Sequence, residues 1–204
     1  MADASAVTRG GDRRAARREH LLNAAEQAVR AHGVDVSMEA ISAEAGVTKP
    51  ILYRHFGDRR GLFAAVAQRH ADRLTAQLRR ALADQAHPRD RIRTTIDTYL
   101  ALLERDPDLH RLATRAEAAA ESGGALQDAL TTICAEVAAT VEDELASAGV
   151  DAAAAGTWGT AIVGMTQLVG NRWLDEREAT RAELVDRLTD LLWRGFRGVV
   201  RDQG

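Results

Sequence analysis

The residues able to do chemistry in this chain of 204 fall into a scattered set and a concentrated one. The scattered set does not assemble a catalyst. His20, His32, His55, His70, His87 and His110 never show the H-x-x-x-H or H-E-x-x-H spacing that brings two imidazoles onto one helix face for a metal. Cys134 is the only cysteine and has no adjacent base, so it reads as a small buried hydrophobe and forms no intrachain disulfide. There is no G-x-S-x-G elbow and no phosphate-cradling glycine loop. Glu142, Asp143 and Glu144 read as a solvated face. No enzyme, no metal site and no cofactor are expected. The concentrated set lies between residues 37 and 60: Ser37, Thr48, Lys49, Pro50, Tyr53, Arg54, His55, Arg59 and Arg60. Hydroxyls, a phenol, an imidazole and guanidinium groups donate to phosphate oxygens, and a lysine can reach a guanine edge. This is the chemistry of holding a nucleic acid.

Two short helices must position these groups. Ser37 is a good N-cap, Glu39 suits the positive end of the helix dipole, and Met38, Ile41 and Ala45 recur at helical spacing on an inward face. Gly46 supplies the left-handed turn residue, and Val47 plugs the corner. A second helix opens around Thr48, Lys49 and Pro50; proline disfavours α geometry at Lys49, so its cap is Thr48 or Lys49. Ile51 and Leu52 can face inward, while Lys49, Tyr53, Arg54 and His55 can face out, as in a helix-turn-helix whose second helix enters a DNA major groove. Helical proteins that bind no DNA also contain such pairs. The residues after Phe56 favour DNA. Asp58 can cap the next helix, placing Arg59 and Arg60 in its first turn, where cations cost roughly 0.3–1 kcal/mol each. A phosphate there would attract the helix amides and both guanidinium groups together.

The run from about Arg14 to about Ala71 resembles the DNA-binding domain of the TetR family of bacterial transcriptional regulators. The resemblance rests on Ala45-Gly46-Val47-Thr48, then Leu52-Tyr53-Arg54-His55-Phe56, then Arg59 before Leu62. Arg59 stands where lysine is more frequent in the family, and Arg60-Gly61 where acidic residues are usual. Glycine there weakens the start of the fourth helix by up to about 1 kcal/mol. The resemblance implies an all-α fold of nine helices, with three short N-terminal ones in the DNA-binding half, and phosphate contacts from Tyr53, His55 and Arg59.

The rest of the chain agrees. Alanine and leucine dominate, proline is rare, and there is no strand alternation or internal repeat. Helices are expected from Arg59 to about Asp84, from Pro88 to about Glu104, from Asp108 to about Glu117, and after Gly124 to Ala148. Two more run from an Asp151 cap to about Leu174 and from Glu178 to Val200. The formal net charge of −3 is uneven, +2 through residue 60 and −5 beyond, and local patches govern phosphate binding. Lys49 is the only lysine. Residues 1–13 read as a flexible basic arm, 14–75 as the DNA-binding domain, and 76–204 as a ligand-binding and dimerisation domain. No apolar run approaches the 18 residues of a membrane span, so a cytoplasmic protein without a membrane partner is expected.

Small residues Ala152, Ala155, Gly156, Gly159 and Gly164 recur in the eighth helix, and Leu184, Leu188, Leu191, Leu192, Gly195 and Val199 in the ninth. An intramolecular core would use them equally well. The family resemblance instead implies a homodimer through the last two helices and a cavity for a small hydrophobic effector. Candidate cavity residues are Tyr99, Leu103, His110, Thr132, Trp158 and Met165. The expectation is a homodimeric repressor that binds a palindromic operator on double-stranded DNA and is released by its effector. An activator, an effector-independent DNA-binding protein, or a ligand-binding module with a vestigial helix-turn-helix remain the alternatives.

Overall fold

The computed structural model describes residues 4–83, 87–120 and 124–202, with side chains from Arg13 to Arg194. These residues form α1 (Ala4–His32), α2 (Met38–Glu44), α3 (Lys49–Phe56), α4 (Arg59–Ala83), α5 (Pro88–Arg105), α6 (Pro107–Ala118), α7 (Ala125–Ser147), α8 (Ala155–Glu176) and α9 (Arg181–Asp202), with no strand among them. No helix among the described residues is long and apolar enough to cross a membrane. Proline opens α5 and α6, where its missing N–H costs nothing.

Several local expectations change. The flexible arm does not appear over residues 4–13, because α1 continues back to Ala4; residues 1–3 lie outside those described. Alanine and arginine on both sides carry the helix through Gly10-Gly11, at a propensity cost of roughly 1 kcal/mol per glycine. Thr48, not Lys49, is the extended cap of α3, with Pro50 in the first turn. The Asp151 carboxylate accepts from the Ala153 N–H (2.9 Å), but α8 begins only at Ala155. Before α9, the Thr180 hydroxyl accepts from the Glu183 N–H (3.3 Å) while the Glu183 carboxylate accepts from the Thr180 N–H (2.9 Å). This reciprocal capping box starts α9 at Arg181 rather than Glu178.

The chain packs as two compact units. The first runs through His70 and takes in Asp108–Ala125. Its core joins Leu21, Leu22 and Val29 of α1 with Ile41, Leu52, Leu62 and Val66, and Leu109 and Leu112 of α6 complete it. This grouping moves the boundary from residue 75 to His70 and adds α6 to the N-terminal unit. Buried Glu26 is held by Arg69 (3.4 Å) and Arg30 (3.5 Å), as a charge inside a core requires. The second unit comprises Ala71–Pro107 and the chain from Leu126. Leu74, Leu100, Leu103, Leu145, Leu174 and Val185 are central to it. Arg89–Asp190, Arg93–Asp186 and Arg181–Asp97 pairs join α5 to α9 at the surface, where each adds little.

The small-residue face of α8 divides in two. A Cβ on Gly159 would lie 2.8 Å from the Ala138 nitrogen and 2.9 Å from its Cα, so this glycine lets α8 approach α7 of the same chain. Gly159 is therefore an intrachain packing residue, contrary to its expected place on a dimer face. A Cβ on Gly156, Gly164 or Gly195 would meet nothing within 4 Å.

Candidate nucleic-acid interface and apolar cavity

The first unit builds its basic face from α2 and α3 outward. The Ser37 hydroxyl accepts from the Ala40 N–H (3.1 Å), which starts α2 and leaves the hydroxyl proton available. At the other end, the His20 imidazole Nε2 donates to the Ala45 carbonyl (3.0 Å). Gly46 then turns the chain at φ +60, and Val47 N–H returns to the Ser42 carbonyl (2.9 Å). Leu52 is fully buried and fixes the rotation of α3. Tyr53 is consequently 42% exposed, and Thr48, Pro50 and Arg54 are exposed with it. Lys49 is half-buried and pairs with Glu39 of α2. Both side chains still reach solvent, at 41% and 62% exposure, so a competing phosphate or base edge would face a contact worth at most about 1 kcal/mol.

Asp58 starts α4, its carboxylate accepting from the Gly61 N–H (2.7 Å). A Cβ on Gly61 would collide with the Phe56 carbonyl oxygen, well inside the 3.0 Å that real Cβ contacts respect. Glycine at this position is thus what lets the last turn of α3 abut the first turn of α4. Arg59 lies over the Phe63 ring (4.8 Å to its centroid), and Arg60 is exposed. The structure also gathers cations the helix-turn-helix motif does not contain. Arg18 of α1 lies over the Phe56 ring (5.2 Å to its centroid). Burial, then the charges of Arg14, Arg17, Arg54 and Arg18, hold the His55 imidazole below its ordinary 6.5. Arginines of α1 and α3 therefore share one electrostatic neighbourhood. The sequence showed the N-terminal arginines but not that a helix would bring them to His55.

The second unit contains a cavity of about 120 Å³ lined by α4, α5, α7, α8 and α9. Leu78, Ile96, Ile133, Val141, Ile162 and Leu192 give its apolar character. Of the six candidate residues only Tyr99 lines it, and burial pushes the Tyr99 phenol above its usual range. Leu103 is buried core, with its Cδ2 3.3 Å from where a Cβ on Gly170 would lie. Thr132 donates to the Asp128 carbonyl (2.9 Å), while Trp158 and Met165 are half-buried against the core. His110 belongs to the other unit, its ring 5.8 Å from that of His70. The misses follow from helical phase: on α8, residues 162, 163, 166 and 167 face the cavity, so residues 158 and 165 do not. The stripe of Pro88, Arg91, Ile92, Thr95, Ile96 and Tyr99 at three-and-four spacing was the available signal on α5.

Comparisons agree with both halves. The family model described as bacterial regulatory proteins, tetR family, matches residues 21–66, and the tetracyclin repressor-like C-terminal domain matches residues 77–203. An uncharacterised HTH-type transcriptional regulator of Mycobacterium tuberculosis is 30% identical over 189 residues, covering 92% of this chain and 80% of that protein. The HTH-type transcriptional activator FasR of Mycolicibacterium smegmatis is 36% identical over 110 residues, half of each chain. A TetR-like transcriptional regulator from Rhodococcus sp. RHA1 superposes with a TM-score of 0.69 at 25% identity, over 89% of this chain and 96% of its own. With a helix-turn-helix, nine helices among the described residues and family matches over both halves, the chain belongs to the TetR family of DNA-binding transcriptional regulators.

Proposed function

We propose that this regulator is a homodimeric repressor that binds a palindromic operator and is released by a hydrophobic small molecule. The observation that carries this reading is an apolar cavity in the second unit of a chain whose first unit keeps Arg54, Arg59 and Arg60 exposed. Ser37, Thr48, Tyr53, Arg54, His55, Arg59 and Arg60 would hold phosphates, and Lys49 and Pro50 would face base edges. Leu168 and Leu191 support self-association: they are 72% and 60% exposed, on α8 and α9, near the open sites at Gly164 and Gly195. A two-fold dimer would present two α3 helices to half-sites about one helical turn apart.

The cavity size bears on mechanism. Sites for drug-sized ligands run to about 300–1,000 Å³, so an effector of that size must spread the helices around this smaller space. Occupancy would then favour a state with different spacing between the recognition helices, and DNA and effector would weaken each other by the same factor. The activator alternative has one observation in its favour, the similarity to an activator over half the chain. A gel shift on the DNA upstream of its own gene, with and without small-molecule cell extract, tests the reading. Retention that the extract reverses supports release by an effector. Retention only in the presence of extract would point to an effector-dependent DNA binder, and no retention in either condition would overturn the proposal.

A further inference from the structure

The cavity holds one pair of opposite charges in its lining. Arg91 of α5 and Glu144 of α7 both line it and pair with each other, each side chain roughly a quarter exposed (21% and 29%). One helical turn after Arg91 comes Thr95, whose buried hydroxyl has no hydrogen-bond partner among the described residues. Thr189 of α9 shares this condition but does not line the cavity, and the other lining threonines behave differently. Thr75, Thr114, Thr132, Thr140 and Thr166 each donate to the carbonyl four residues earlier, including two that line this same cavity. A buried hydroxyl left without a partner destabilises the fold unless something enters to satisfy it. Rotation about χ1 exchanges the methyl and hydroxyl of a threonine, so Thr95 can turn its oxygen towards a bound molecule. Arg91 lies at i−4 on the same stripe and its only described ion pair is to Glu144. Beyond them the lining is mainly aliphatic, with Leu74, Leu78, Ile96, Ile133, Val137 and Ile162 among it, and Gln167 is its one other long polar side chain.

We propose that this cavity takes a single-chain amphiphile with an acidic head, a carboxylate carried on a hydrocarbon body. The head takes Arg91 from Glu144 and accepts a hydrogen bond from Thr95, and the body lies among the aliphatic side chains. A carboxylate suits the guanidinium fork, and it supplies the acceptor that the threonine lacks. The ion pair is then the element that resets: with the cavity empty it ties α5 to α7, and with the head bound Glu144 is released. This deepens the proposed effector response and rests on it for biological meaning, but the binding itself is separable.

The test uses the full-length protein without DNA and three probes of equal chain length below their micelle concentrations: decanoate, decanol and decyltrimethylammonium. Calorimetry should rank decanoate tightest. Arg91→Gln should cost decanoate about tenfold or more, and leave decanol unchanged. Glu144→Gln should tighten decanoate by freeing Arg91. Thr95→Val should weaken decanoate while raising the melting temperature of the empty protein, a combination that simple damage to the fold does not produce. Equal affinity for decanoate and decanol, or tightest binding of the cation with loss in Glu144→Gln, would overturn the acidic head. Binding of none of the three would overturn the ligand class. Operator affinity, measured separately, isolates the rest: decanoate binding with unchanged DNA affinity would sink the sensor role and spare the site, while release by extract without decanoate binding would do the reverse.

Discussion

Replacing Gly61 with alanine sets two physical effects against each other, and the structure decides the sign. On an ordinary helix surface, alanine stabilises relative to glycine by up to about 1 kcal/mol. Gly61 is not such a position. The added Cβ would occupy the space of the Phe56 carbonyl oxygen, which is backbone and cannot rotate aside, and would lie 3.2 Å from the carbonyl carbon. Relief requires the end of α3 and the start of α4 to separate. Overpacking of this kind costs about 1–3 kcal/mol, so the net change is a destabilisation of up to about 2 kcal/mol. For a chain of this size that lowers the melting temperature by several degrees, at about 2–4 °C per kcal/mol. The same shift displaces His55 and the Asp58 cap, so DNA affinity should fall more than stability alone explains. Paired thermal melts and fluorescence anisotropy on a bound DNA fragment check both. A Gly61→Ala protein that melts higher than wild type and binds DNA equally well would refute the close approach.

Other expected outcomes concern separate parts of the molecule. Arg59→Ala should weaken binding on all sequences alike and reduce the salt slope by about one, whereas Lys49→Ala should alter base preference by roughly 1–3 kcal/mol; equal losses on specific and random DNA would remove the lysine from base reading. Because burial and neighbouring arginines lower the His55 pKa in the free protein, DNA phosphates should raise it again on binding. Affinity should therefore increase as pH falls from about 8 towards 5, levelling below the free-state pKa, and His55→Gln should flatten that profile. Leu168→Asp should give monomers with unchanged helical content by sedimentation and circular dichroism, while Gly159→Leu should lower stability through its clash with Ala138 backbone atoms.

What could be read from the sequence was whatever rests on local chemistry. Ser37, Gly46 and Asp58 declare the ends of α2 and α4 through caps and a turn, and Pro88 declares the start of α5. The same holds for the outward set on α3, fixed by Leu52 facing in. Non-local geometry was not legible. Gly61 looked like a weak helix start because the Phe56 carbonyl that requires it is placed by the turn between two helices. Gly159 looked like a partner-facing residue because pattern alone cannot say whether a small-residue face meets α7 or a second chain. The cavity residues were mostly missed for a similar reason. A shift of one residue along a helix rotates a side chain by about 100°, so Met165 and Thr166 carry similar sequence signals but face different surroundings. His110 illustrates the largest gap: α6 follows α5 in sequence yet completes the core of the N-terminal unit.

Central to the proposed function is that two copies of α3 read a two-fold symmetric operator. Selection of bound fragments from fragmented genomic DNA, followed by affinity measurement at fixed salt, tests it most directly. The expected result is an enriched inverted repeat with half-site centres about 10–10.5 base pairs, or a multiple, apart. Its affinity should exceed that for random DNA by at least about 10³, and Lys49→Ala should change the selected bases. Enrichment of no common sequence, with equal affinity for selected and random DNA, would contradict it.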